Sequence, residues 1–219
     1  MVLNKQKGNM YGFVTDTWNT VKGKCPHDCS YCYMKVFPQN NIRFDEKELE
    51  TDLGKGKTIF IGSSTDMWAD SILISWIARI LNHIEKYPNN TYLFQSKNPR
   101  RFIGWNDRLK KSNVIIGTTI ETNRENKFTG GQPIRDRAKS MAMLEGCRTF
   151  VTIEPIMDFD LDELVFLIKG IQPEFVNIGA DSKNHKLPEP SCLKTEALIN
   201  ELSKFTKVNQ KDNLKRLLT

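Results

Sequence analysis

Short apolar or β-branched runs alternate along this chain with longer stretches in which apolar residues recur at i, i+3 and i+4. Residues 12–15 are the first candidate strand. "TIFIG" (58–62), "TYLFQSK" (91–97), "NVIIGTTIE" (113–121), "TFVTIEPIM" (149–157) and "FVNIGAD" (175–181) follow. Between them, "SILISWIARILNHIEKY" has the spacing of a helix with one buried face and stops at Pro88. Pro99 opens a short helix, and helical periods return over 135–144, in "LDELVFLIKGI" and over 195–205. Continuous apolar character in the fourth run suits a strand covered on both faces. The pattern predicts repeated βα units around a parallel sheet, hence an α/β fold. Six units are too few for a closed eight-stranded barrel, which takes ~250 residues. The expectation is an open, partial (βα)6 TIM-like barrel, with a flavodoxin-like doubly wound sheet as runner-up. One domain is expected over 1–219, with its core at about 11–206 and a basic tail at 207–219.

Composition narrows the setting. With 39% hydrophobic and 26% charged residues, the chain has a globular balance, and no apolar run approaches the ~18 residues of a membrane span. "MVLNKQKGNMYGF" lacks the features of a secretory signal, so a cytoplasmic location with reduced thiols is expected. The net charge is +6, and the basic residues are scattered, with small concentrations at "SKNPRR", "RLKK" and "KDNLKRLL". This suits either a polyanionic partner or a solubilising surface.

Chemistry in such folds sits at the C-terminal edge of the strands. There the pattern gathers Ser63, Ser64, Thr65 and Asp66, then Gln95, Ser96 and Lys97, then Thr118, Thr119 and Glu121, and finally Glu154 and Asp181. Glu154 lies within a strand-like run, where a lone buried carboxylate is costly, so a partner is expected. A structural ion pair of Glu154 or Glu121 with Lys97 is the plain alternative to a functional role.

"GKCPHDCSYCYM" places Cys25, Cys29 and Cys32 at C-x3-C-x2-C spacing on a loop. Structural zinc would need a fourth ligand, from His27 or His185, but zinc sites usually come as two short ligand pairs. A [4Fe-4S] cluster normally takes four thiolates, so three would leave one iron open to a small molecule. Chance clustering of free thiols is the remaining reading.

This stretch, with Tyr31 as an aromatic residue before the last cysteine, resembles the signature of the radical S-adenosylmethionine (SAM) superfamily. "TWNTVKGKC", "IFIGSSTDMW", "YLFQSKNPRRF", "IIGTTIE", "TIEPI" and "VNIGAD" are together similar to an uncharacterised family of radical SAM-like proteins of phage and bacterial genomes. The resemblance runs from about residue 18 to 181, and "GADSKNH" departs from the glycine-rich, glutamate-bearing turn expected there. It implies that Cys25, Cys29 and Cys32 hold three irons while SAM chelates the fourth. Ser63, Ser64, Thr65 and Asp66 are then candidates for the SAM amino group. Thr118, Glu121 and Glu154 are candidates for its ribose and carboxylate, with Gln95 and Lys97 contributing and Tyr31 and Tyr33 near cluster and adenine. The implied reaction is reductive SAM cleavage to a 5′-deoxyadenosyl radical that abstracts hydrogen. A flavodoxin- or ferredoxin-like protein would supply the electron.

Basic charge, Arg100 and Arg101, and Trp68 or Trp105 as stacking surfaces fit a nucleobase, nucleotide or nucleic-acid substrate. A more distant resemblance to the spore photoproduct lyases implies the same. Cys147 and Cys192 are candidate hydrogen donors, although Cys147, just before an apolar strand, equally fits a small buried residue. "NRENKFTGGQP" and "DSKNHKLPEPS" are candidate lids. The same chemistry on a peptide or small metabolite, and a zinc-binding interaction module, are the alternatives. No residue pattern specifies an oligomeric state.

Overall fold

The period-two alternation of the strands separates two apolar layers, one facing helices and one filling the interior of a curved sheet. The computed structural model describes residues 3–5, 10–125 and 127–219. In chain order it contains β1 (Asn4–Lys5), β2 (Asp16–Trp18), β3 (Val21–Lys22), β4 (Arg43–Phe44), β5 (Thr58–Ile61), α1 (Ile74–Ile84), β6 (Thr91–Ser96), α2 (Arg100–Ile103), α3 (Asn106–Leu109) and β7 (Val114–Thr119). These are followed by α4 (Ile134–Ala142), β8 (Arg148–Ile153), α5 (Leu161–Ile171), β9 (Phe175–Ile178), α6 (Cys192–Ser203) and β10 (Lys207–Gln210). One sheet runs β1-β2-β5-β6-β7-β8-β9-β10, parallel throughout except for β1, and its two ends do not pair. The open, mostly parallel α/β sheet expected from the alternation is therefore present. Among the described residues no helix is long and apolar enough to cross a membrane.

Ile59, Ile61, Tyr92, Phe94, Ile116, Val151, Ile153, Val176 and Ile178 join the helices in the larger core. The alternate residues Phe60, Leu93, Ile115 and Phe150 fill the concave side with Tyr11, Val14 and Phe175. Gly117 is part of that fit, because a Cβ there would lie 2.4 Å from the Phe150 ring. Gly117→Ala is expected to destabilise the fold by about 1–3 kcal/mol through overpacking, read as a lower denaturant midpoint at unchanged slope.

Two expectations need correction. The first parallel strand is Asp16–Trp18 and not residues 12–15. Its register is set by Asp16 opposite Ile59, and the preceding segment instead sends Tyr11 into the interior. Residues 207–219 are no tail: β10 adds a seventh parallel strand beside β9, and a short 3-10 helix (Asp212–Leu217) buries Leu214 completely. "KVNQ" carries one β-branched residue, so no strand period marks it, and its pairing depends on the exposed edge of β9.

Candidate functional site

Further along the concave side, the same alternation turns polar. Gln95 Nε2 donates to Thr119 Oγ1 (2.9 Å), and Tyr11 OH donates to Gln95 Oε1 (2.6 Å) and lies 2.7 Å from Thr152 Oγ1. These groups floor a cavity of about 720 Å³ at the C-terminal strand edge. Cys25, Cys29 and Cys32 all line it, as do Tyr31, Tyr33, Ser63, Ser64, Thr65, Asp66, Gln95, Ser96, Lys97, Glu154 and Asp181.

The cysteine loop is held at its base and along its back. β3 and β4 pair antiparallel on either side of it, and Lys24 N donates to Asn40 O (2.8 Å). Gly23 must be glycine: its φ is +108°, and a Cβ would meet Asn41 O at 2.4 Å. Tight turns from Cys25 O to Asp28 N (3.2 Å) and from Cys29 O to Cys32 N (3.1 Å) shape the segment whose three thiols line the cavity. Residues 123–133, expected as a lid, instead strap this loop. Ser30 N donates to Phe128 O (2.8 Å) and Gly130 N to His27 O (2.7 Å). Asn126 of that segment lies outside the described residues. Burial, and then the charge of Asp66, push the Cys25 thiol up to about 12, and burial raises Cys32 as well. Such thiols are poor free nucleophiles but suit a cationic group that supplies the missing countercharge.

Three carboxylates, Glu121 buried and Asp66 and Glu154 partly so, organise the surroundings. Asp66 takes His27 Nε2 (2.7 Å), Ser96 Oγ (2.8 Å) and the N–H groups of Lys97 (3.0 Å) and Trp68 (2.9 Å). Burial alone would raise its carboxyl, but these contacts, His27 foremost, hold it low. Glu121, fully buried, accepts Arg137 Nη1 (2.9 Å) and Tyr31 OH and pairs with Lys97 Nζ at 3.3 Å. Burial opposes its ionisation, whereas Lys97 and Arg137 hold its carboxyl below the usual range. Glu154 binds Lys211 Nζ at 2.6 Å and Asn213 Nδ2 at 3.1 Å. Gly179 leaves room for it, since a Cβ there would sit 2.7 Å from Glu154 Oε1.

The turn after β5 is fixed by Asn19. Its side chain meets Ser63 Oγ (3.1 Å) and accepts Ser64 N–H (3.2 Å), while Thr65 Oγ1 donates to Gly23 O (2.6 Å) and Tyr33 OH to Ser63 O (2.5 Å). Thr118 and Glu121 do not line the cavity. Thr118 faces the other side of β7 and donates to Ser96 O (2.7 Å), leaving its neighbour Thr119 on the cavity side. Cys147 and Cys192, expected as hydrogen donors, are also off the cavity. Cys147 lies beside Asn106 at the N-terminal end of β8, and Cys192 opens α6. Trp68 is fully buried against Phe94 and Phe102 and offers no stacking face, and Trp105 packs against the core. The second candidate lid does wall the cavity, through Asp181, Ser182, Lys183 and His185. His185 Nδ1 sits 2.5 Å from Asp181 Oδ1. Among the described residues no three His, Cys, Asp or Glu side chains converge as a site for one metal ion.

Tyr11, Asn19, Thr129, Arg137 and Lys211 join the site without having been expected in it. Arg137 had a signal: with Ile134, Ala138 and Met141 it completes the buried i, i+3, i+4, i+7 face of α4. Lys211 had none, because its place depends on β10 pairing.

The fold is shared with solved structures at low identity. A spore photoproduct lyase variant superposes with a TM-score of 0.67 at 11% identity, covering 95% of this chain and 81% of that one. A spore photoproduct lyase with bound AdoMet and dinucleoside spore photoproduct gives 0.63 at 12%, covering 91% and 64%. Streptococcus suis SuiB bound to S-adenosylmethionine gives 0.60 at 10%, with this chain spanning 48% of its length and 85% of this chain covered. A search of curated proteins finds no match. Residues 10–186 match the family described as "Protein of unknown function (DUF5131)", and the chain belongs to that family.

Proposed function

We propose that this protein is a radical SAM enzyme, with cluster and SAM held together in the strand-edge cavity. The observation that carries the reading is that all three thiols of C-x3-C-x2-C open on the cavity that the polar strand ends line. Its volume of about 720 Å³ falls in the range of small-molecule sites, roughly 300–1,000 Å³. Three thiolate donors on one cavity are a set that suits an iron-sulfur cluster. A [4Fe-4S] cluster bound there would supply the single electron that splits the SAM sulfonium into methionine and a 5′-deoxyadenosyl radical. Cys25, Cys29 and Cys32 hold it, and a flavodoxin- or ferredoxin-like partner delivers the electron. Ser63, Ser64, Thr65 and Asp66 would serve the SAM amino group. Lys97, kept cationic by Glu121, would pair with the SAM carboxylate. Gln95 and Glu154 would offer acceptors for the ribose, and Tyr31 and Tyr33 would pack near cluster and adenine.

The substrate in this reading is a nucleobase within a nucleotide or nucleic acid. Lys5 and Lys183 at the cavity, the net charge of +6 and the dinucleoside bound by a spore photoproduct lyase of the same fold support it. Anaerobic reconstitution with iron and sulfide, followed by reduction with SAM, tests the chemistry. A brown protein that releases 5′-deoxyadenosine is expected, and a colourless protein holding one zinc would overturn it. Deuterium moving from labelled DNA or RNA into 5′-deoxyadenosine supports the substrate class, and transfer only from peptides rejects it.

A further inference from the structure

The three sulfurs have different kinds of partner. The backbone N–H groups of Asp66 and His27 approach Cys25, and that of Met34 approaches Cys32. Cys29, the most buried of the three, instead contacts a side chain from the strap: its Sγ lies 3.2 Å from Thr129 Oγ1. The thiol donates to that hydroxyl. A ligating thiolate has no proton to give, so the contact can persist only with the hydroxyl as donor. Thr129 is prepared for this exchange. Its oxygen already accepts the N–H of Gly131 at 3.1 Å, which leaves the hydroxyl proton to be aimed elsewhere. The strap is also held in place, by the Gly130–His27 and Phe128–Ser30 backbone bonds and by Gly131 lying so close to Lys97 that a Cβ would be 2.7 Å from the lysine Cβ.

We propose that Thr129 is a positioning residue that donates a hydrogen bond to the Cys29 sulfur of the bound cluster and raises its reduction potential. This rests on the cluster reading above. A donor to a ligating sulfur stabilises the more electron-rich reduced form, and such bonds are among the determinants of cluster potential. Backbone donors to Cys25 and Cys32 come with the backbone of the loop and of the turn after β5 whatever the side chains, whereas Thr129 is a donor that one substitution removes.

The test compares wild type with Thr129→Val, Thr129→Ala and Thr129→Ser after anaerobic reconstitution. Iron and sulfide content are measured first, then the midpoint potential by a mediated titration followed by electron paramagnetic resonance. Equal iron content, a more negative midpoint in the Val and Ala variants, and a Ser variant matching wild type are expected. An unshifted midpoint in Val and Ala, or a Ser variant shifted as far as Val, overturns the proposal. If Val and Ala take up no iron while Ser does, the hydroxyl serves assembly and the tuning role is rejected. A wild-type protein that takes up no cluster instead refutes the reading of the preceding subsection, a failure visible before any potential is measured.

Discussion

Replacing Cys29 with alanine is expected to leave a colourless protein that takes up no stable cluster and releases no 5′-deoxyadenosine from SAM. Three thiols are the minimum for holding three irons, and Cys29 is the central and most buried of the three that line the cavity. Two remaining thiols, separated along the loop, would anchor too little of the cluster to resist its loss to solvent. Iron and sulfide analysis, absorbance and product chromatography on the reconstituted variant check this, and full SAM cleavage by Cys29→Ala would sink the assignment. His27→Ala gives the contrast. His27 is engaged through Nε2 with Asp66, so its loss should loosen the loop while leaving iron binding in place. A zinc site built from three cysteines and His27 would lose its metal in both variants.

Glu121→Gln should destabilise the fold by about 3–5 kcal/mol, the usual cost of leaving buried cations without their counterion. Glu121 and Arg137 are almost wholly inaccessible, and Lys97 is largely buried. The amide keeps one of the two acceptor oxygens and cannot balance two positive charges. In a chain of this size the loss corresponds to a fall in Tm of roughly 6–20 °C. The pH dependence has a definite sign. The folded carboxyl is held below its unfolded value, near 4.3, so the charge contributes stability fully above that pH. That contribution is lost as pH falls through the folded value. Wild type and Glu121→Gln should therefore differ most at neutral pH and converge in acid, and denaturation series at several pH values check it. A constant gap down to strongly acid pH would show that packing, and not charge, explains the loss. Tyr31 also bonds Glu121, so the variant should in addition loosen the aromatic residue beside Cys32.

Much of the site can be traced to residue pattern. The strand runs place Gln95, Lys97 and Glu154 on the concave side by alternation alone, and the same rule applied strictly would have chosen Thr119 over Thr118. Glu121 with Lys97, read as an alternative to function, is an ion pair beneath the cavity wall, and Glu154 finds its partner in Lys211 instead. Arg137 was readable as the polar member of a buried helix face.

Other features have no local signal because they arise from contacts between distant segments. The strap places Thr129 against Cys29, 100 residues earlier in the chain. Lys211 reaches Glu154 across 57 residues, because a short polar segment pairs with the edge of β9. The sequence by itself determined the α/β alternation, the thiol spacing and the identity of the strand-end groups, since each depends on local period and residue type. Only the tertiary structure decided which groups share a cavity, which carboxylates are neutralised by which cations, and that residues 123–133 strap the cysteine loop. Those outcomes depend on chain closure and strand register, which bring together residues that no short window of sequence contains.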